Sequence, residues 1–174
     1  KSFFQVNPVQ VEKLYSKAIE FAELKEDESI FDAYCGIGTI SLCASKSVNK
    51  VVGAEIVKEA IIDAKKNAKI NDISKANFIC GDAGDVLETL INNGEKFSTV
   101  FVDPPRKGLD EKFISKLLEL KPSKIVYVSC DPETLARDVK ILSESYKIKK
   151  VQPVDMFPQT FHVETVVSLD IEGK

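Results

Sequence analysis

The chain has 174 residues, enough for one domain with a real core, and its 44% hydrophobic and 29% charged residues are ordinary for a globular protein. A net charge of −3 argues against this chain alone being a strong nucleic-acid binder, because phosphate neutralisation needs clustered Lys and Arg. No apolar run is long enough to span a bilayer; four scattered cysteines without a CxxC pair, and a single histidine, argue against metal sites and a disulfide framework and for a reducing, cytoplasmic compartment.

Strand-like and helix-like segments alternate along the chain. Asn7-Pro8 reads as an N-cap followed by proline at the first helical position, and Val11, Leu14, Tyr15, Ala18, Ile19 and Ala22 follow at helical spacing. SIFDAY (29–34) reads as a strand, CGIG as a glycine-bearing turn and 39–46 as a helix. Then come strand 50–56, helix 58–71, strand 76–82, a helix to about Ile91, strand 98–105 and helix 111–120. SKIVYVSC (123–130) is strand and 132–144 helix, and YKIKKVQPVDMF and FHVETVVSLDI read as two closing strands. The alternation predicts an α/β fold with a mostly parallel sheet, helices on both faces and a last pair of strands running antiparallel. No internal boundary interrupts 1–174, and KSFFQVNP opens without an initiating Met, so the expectation is one catalytic domain excised from a longer protein.

In such a sheet, ligands bind over the carboxyl ends of the strands. The first of these ends offers Asp32, Tyr34, Cys35, Gly36 and Gly38; the second Glu55; the third Asp82; the fourth Asp103-Pro104-Pro105-Arg106; the fifth Cys130. Strand, Gly-x-Gly turn and helix followed by Glu55, which can accept from both ribose hydroxyls, resembles a nucleotide site. A G-x-G-x-x-G pattern would need glycine at 41, where Ser41 stands. S-adenosylmethionine (SAM), which has no pyrophosphate, therefore fits better than NAD, and NAD stays as the alternative. Two prolines after Asp103 stiffen the loop that presents it. Cys130 lies just past its strand, where a residue wanted only for packing would sit inside it; Cys43 and Cys80 read as core residues, and Cys35 as packing in the cofactor turn. His162 and Glu164, two apart, share a strand face.

FFQVNP, DAYCGIGTISL, AEIVKEAIIDAKKNAKIN, DPPRKG, VYVSCDPETLARD and DMFPQTFHVETV occur in this order. Together they resemble the catalytic domain of the RNA uracil-C5 methyltransferases, which make 5-methyluridine in tRNA and 23S rRNA. The resemblance runs from Phe3 to about Leu169. It implies a Rossmann-like class I SAM-dependent methyltransferase with a seven-stranded, mostly parallel sheet and an antiparallel last strand. It further implies SAM contacts from Gln5, Tyr34, Glu55 and Asp103, a nucleophile in Cys130, and a base in Glu164, expected beside the end of the fifth strand. Gly36, Gly38 and Asp82 complete the cofactor rim; Pro104, Arg106, Phe157 and His162 are candidate substrate contacts, and Phe161 a further one. RNA is the implied partner, bound mostly by regions outside this chain, with no membrane and no metal. Many relatives carry Asn after the cysteine, whereas this chain has Asp131. An ionised Asp131 facing the sulfur would disfavour the thiolate, so it is expected to turn away or be hydrogen-bonded. Competing readings are an amino-methyltransferase using DPP, which commonly carries an aromatic where Arg106 stands, and a SAM-binding module without catalysis.

Overall fold

Five-residue apolar runs punctuated by capped helices dictate the architecture of this computed structural model, which describes residues 8–156, 158–160 and 163–173. The elements are α1 (Pro8–Ala22), β1 (Ser29–Ala33), α2 (Thr39–Ala44), β2 (Lys50–Glu55), α3 (Lys58–Ile70), β3 (Ala76–Cys80) and α4 (Ala83–Asn92). They continue as β4 (Thr99–Val102), α5 (Glu111–Leu120), β5 (Lys124–Ser129), α6 (Pro132–Leu142), β6 (Tyr146–Val154) and β7 (Glu164–Ile171). Aspartates start three of the helices: Asp82, Asp110 and Asp131 accept from backbone N–H groups of the first turns of α4, α5 and α6.

The seven strands lie in the order β3-β2-β1-β4-β5-β7-β6. β1 to β5 pair parallel, whereas β7 runs antiparallel to both β5 and β6. The final strand is thus inserted between its two neighbours rather than added at an edge. β6 takes the edge, with a register shift between Ile148 and Lys150 and with Pro153, both tolerated where no further strand must pair.

Alternation along each strand divides the core. Phe31, Ala33, Val100, Val102, Ile125 and Tyr127 face α4, α5 and α6, packing with Leu87, Phe113, Leu117 and Leu135. Ile30, Val51, Phe101, Val126 and Val128 face the other way, onto Leu14, Ala18 and Ile40 of α1 and α2. Gly53 shares the side of Val51, and Phe78 and Cys35 fill the space beside it together with Ile61 and Ala64 of α3. The expected helices on both faces are therefore three against three.

Some expectations need correcting. Cys43 and Cys80 are exposed, not core. α2 is only six residues long and buries Ile40, Ser41 and Ala44, which turns Cys43 outward. Cys80 ends β3, an edge strand, where a side chain meets solvent. The fourth strand stops at Val102, because the two prolines that follow Asp103 cannot donate to a ladder. Among the described residues no helix is long and apolar enough to cross a membrane.

Candidate active site

The rim over the parallel strand ends begins with backbone strain. Tyr34, just past β1, has φ 62°, a left-handed conformation rare for a side-chain-bearing residue. Its ring is tilted against Phe113, with centroids 5.7 Å apart. Gly36 (φ 53°) and Gly38 (φ 85°) continue the turn into α2. The two glycines do different work. A Cβ on Gly38 would stand 2.8 Å from Phe78 Cζ, whereas a Cβ on Gly36 would meet nothing within 4 Å.

Glu55 closes this turn from β2. Its Oε2 accepts from Gly36 N–H (3.2 Å) and its Oε1 from Val57 N–H (2.9 Å), so the carboxylate is fixed at the rim between two loops. Asp82 spends Oδ1 on the N–H groups of Gly84 (2.9 Å) and Asp85 (3.3 Å). Asp32, 1% exposed, points below the turn and accepts from Ser41 Oγ at 2.5 Å. Burial pushes its carboxyl up to about 7.

The far side of the rim is built from β4, β5 and β7. Ser129 pairs with Thr165 in the antiparallel β5–β7 ladder. Cys130, half-buried, follows Ser129, and Glu164, 5% exposed, precedes Thr165. Burial raises the Cys130 thiol above its ordinary range, and the Glu164 and Asp103 carboxylates push it the same way, while Arg106 opposes them. Burial likewise raises Glu164, again opposed by Arg106. Asp103 is raised to about 8 by burial and by the Glu164 and Asp32 charges; Tyr15 Oη of α1 donates to it at 3.5 Å. The Asp103 and Glu164 carboxyls and the Cys130 thiol thus share one partly buried corner, where the charge of exposed Arg106 acts on both Glu164 and Cys130.

Asp131 is turned into the helix. Its Oδ1 accepts from the N–H groups of Glu133 and Thr134, each at 3.0 Å, and these bonds hold its carboxyl below the usual range. It is committed to the α6 cap, as the expectation of a hydrogen-bonded Asp131 required. Cys130 itself stands immediately before that cap, at the positive end of the α6 dipole, which favours a thiolate.

The model of the tRNA (Uracil-5-)-methyltransferase family matches residues 1–172. This chain belongs to that family. An RNA methyltransferase of Clostridium tetani is 54% identical over 99% of this chain and 38% of its own length. One from Listeria innocua is 52% identical over the same shares. A solved structure of the Pyrococcus abyssi tRNA (uracil-54, C5)-methyltransferase, in complex with S-adenosyl-L-homocysteine, is 41% identical with a TM-score of 0.84, over 97% of this chain and 40% of that one. A Geobacter metallireducens precorrin-6y C5,15-methyltransferase structure, 16% identical with a TM-score of 0.76 over 91% of this chain and 88% of that one, shares the fold. The chain spans about two fifths of the curated relatives it matches.

For a member of the tRNA (uracil-5-)-methyltransferase family the rim suits a nucleoside cofactor. Among the described residues, Asp32 Oδ1 and Tyr34 Oη are buried with no hydrogen-bond partner, a costly condition that a polar ligand would relieve. The space over Gly36 is open, and the Glu55 carboxylate borders it. No pyrophosphate cradle is needed, and Ser41 is occupied by Asp32 rather than by a close backbone approach.

The other expected site residues fall out unevenly. Pro104 is buried, whereas Pro105, Arg106 and Lys107 are exposed at the loop tip. Gln5, Phe157, Phe161 and His162 lie outside the described residues, as does Asn7. Among the described residues no group of three or more His, Cys, Asp or Glu is arranged to hold a metal ion. Residue-by-residue reading missed Arg137 and Asp138 of the ARD stretch. Asp138 is fully buried although five of the six helix positions before it are exposed or half-exposed, and its partners Tyr127 and Leu109 lie eleven and twenty-nine residues away in sequence.

Proposed function

We propose that this chain is the catalytic domain of a longer cytoplasmic enzyme that methylates carbon 5 of a uridine in tRNA or 23S rRNA. The supporting observation is the juxtaposition of Cys130 and Glu164 across the β5–β7 step, beside a rim suited to a nucleoside cofactor. SAM would be held at the rim over β1 and β2 and would supply a methyl group on a sulfonium, whose S–CH3 bond breaks on transfer to leave the neutral thioether S-adenosylhomocysteine.

Carbon 5 of uracil is too weak a nucleophile to take that methyl unaided. The Cys130 thiolate adds to carbon 6, and the electron pair moves to make an enolate with an electron-rich carbon 5. After carbon 5 has gained the methyl it still bears a proton. Glu164 accepts this proton, the pair left behind re-forms the 5,6 double bond, and the Cys130–C6 bond breaks to return the thiolate. A buried carboxylate suits this role, because burial raises its pKa and makes it a stronger proton acceptor than an exposed one. Glu55 would accept from the ribose hydroxyls, and Tyr34 Oη and Asp32 Oδ1, buried without partners, would take polar groups of the cofactor. A uracil in folded RNA must leave its stack to reach the sulfur, at a cost of about a few kcal/mol. The rest of the longer protein supplies most of the RNA contacts, consistent with the two-fifths share and the acidic balance of this chain.

The decisive experiment is a denaturing gel of the full protein with its RNA and SAM. Cys130→Ala should abolish 5-methyluridine formation and leave SAM affinity nearly intact. Glu164→Gln should accumulate a methylated protein–RNA adduct that vanishes in the Cys130→Ala, Glu164→Gln double variant. An adduct that persists without Cys130 overturns the nucleophile, and wild-type turnover in Glu164→Gln overturns the base.

A further inference from the structure

β6 is an edge strand, and α1 packs over β5 and β7 beside it, so the outer flank of the helix stands over β6. A groove of about 540 Å³ runs between them. Leu14, Ala18 and Phe21 turn into the core, which leaves Gln10, Lys13 and Lys17 as a stripe along one wall, spaced i, i+3, i+7. Gln152 and Val154 of β6 line the other wall. Val154 pairs directly with Glu164, and Ser129, the residue before Cys130, pairs with Thr165. The groove therefore reaches the rim one strand outboard of Glu164 and two strand spacings, about 10 Å, from the end of β5. α1 brings its first half to the same level, since Tyr15 Oη donates to Asp103 at 3.5 Å.

The lining is polar and unevenly committed. Lys17 is held by Glu20 at 2.5 Å and lies over the Phe21 ring. Lys13 is exposed and, among the described residues, enters no hydrogen bond or ion pair. Gln152 Nε2 donates one N–H to the Pro153 carbonyl at 2.9 Å, so an amide N–H and the amide oxygen are left for another partner. Asp155 lines the rim end of the groove. A carboxylate there can accept from a ribose hydroxyl but repels phosphate, so the groove suits a single ribonucleotide rather than a run of phosphates.

We infer that this groove holds the nucleotide next to the target uridine in the RNA strand, with Lys13 on its phosphate and Gln152 on its base or sugar. A uracil seated between Cys130 and Glu164 lies at the ends of β5 and β7, and β6 is the last strand on that side. RNA leaving the uridine in that direction crosses Val154 and enters the groove. An amide carries both a donor and an acceptor and so matches base edges, whereas a lysine ammonium matches phosphate as a point charge. One such lysine contact agrees with the net charge of −3, which leaves most of the phosphate neutralisation to the rest of the longer protein. The inference rests on the reading of this chain as acting on RNA, but not on the roles of Cys130 and Glu164.

The test is fluorescence anisotropy of the full protein with unmodified tRNA and 23S rRNA transcripts, without cofactor and at several salt concentrations. Lys13→Gln should weaken binding about threefold or more and reduce the salt slope by about one counterion. Gln is a good helix former, and the exposed position keeps the melting temperature and SAM affinity at wild-type values. Gln152→Ala should weaken binding about two- to tenfold with the salt slope unchanged, because an amide neutralises no phosphate. Lys96→Gln removes the same charge from the opposite end of the sheet, before β4, and should bind like the wild type. Wild-type affinity in either Lys13→Gln or Gln152→Ala, or an equal loss in Lys96→Gln, overturns the inference and leaves the methyltransferase reading standing. A wild-type protein that binds neither transcript overturns both.

Discussion

Glu164 reaches Cys130 because β5 and β7 run in opposite directions: the ladder pairs Ser129 with Thr165, and the next residue outward on each strand is the thiol and the carboxylate. Their coupling has a counterintuitive consequence. In the proposed mechanism Glu164 takes up the later proton, yet its charge opposes thiolate formation. Glu164→Gln should therefore speed iodoacetamide alkylation of Cys130 at pH 8, about threefold or more, while slowing turnover of the full protein on RNA. Slower or unchanged alkylation would show that the carboxylate does not bias the sulfur.

Glu55 combines two duties, since it holds the N–H groups of Gly36 and Val57 and is assigned to the ribose. Loss of a charge-assisted hydrogen bond is worth roughly 1.5–3 kcal/mol. Calorimetry with Glu55→Ala should show SAM binding weakened by about ten- to a hundredfold. Wild-type affinity in a folded variant would remove Glu55 from the cofactor site.

The two turn glycines should separate cleanly by experiment. Gly38→Ala forces a left-handed alanine, costing about 1–2 kcal/mol, and drives its methyl into Phe78. Its melting temperature should fall, by roughly 2–4 °C per kcal/mol in a domain of this size. Gly36→Ala carries only the conformational cost but fills open space over the rim. It should lower SAM affinity more than it lowers stability. Equal behaviour of the two in both measurements would contradict the geometry.

Asp32 makes a prediction about pH. Its carboxyl, raised from 3.8 to about 7, stays protonated in the folded chain at pH values where the unfolded chain has already released that proton. The unfolded state then binds fewer protons, so this group's contribution to stability is complete below about pH 3.8 and declines until pH 7. Asp32→Asn has no such decline and can still accept from Ser41. Thermal melts without cofactor should show Asp32→Asn matching the wild type near pH 4 and exceeding it by a few degrees, about 1 kcal/mol or more, at pH 8. A gap that is constant across this range would show that Asp32 is ionised in the fold.

Local signals made most of the architecture legible. Strand and helix periods are read over five to ten residues, and the observed helices start within a residue of the sequence expectation at Pro8, Lys58, Glu111 and Pro132. The rim followed from topology, because parallel strands deliver their carboxyl ends to one side. Glu164 was different: periodicity shows a strand there, and only the family resemblance set it beside the fifth strand's end. Asp138 illustrates what stays hidden. On a helical wheel it is one more charged residue, and its burial depends on Leu109, twenty-nine residues earlier, folding over it. Cys43 and Cys80 were misread for the related reason that exposure depends on which strand becomes an edge and how long a helix grows.

The insertion of β7 between β5 and β6 also has a bearing on the order of events during synthesis. The chain emerges from the ribosome with Cys130 before Glu164, and β5 can complete its parallel pairing with β4 while its other side is still bare. β6 then has no parallel partner to dock on, since it pairs only with β7. Both owe their remaining ladder to the last strand, which pairs with each of them. The Cys130 thiol and the Glu164 carboxylate therefore come together only when β7 joins the sheet.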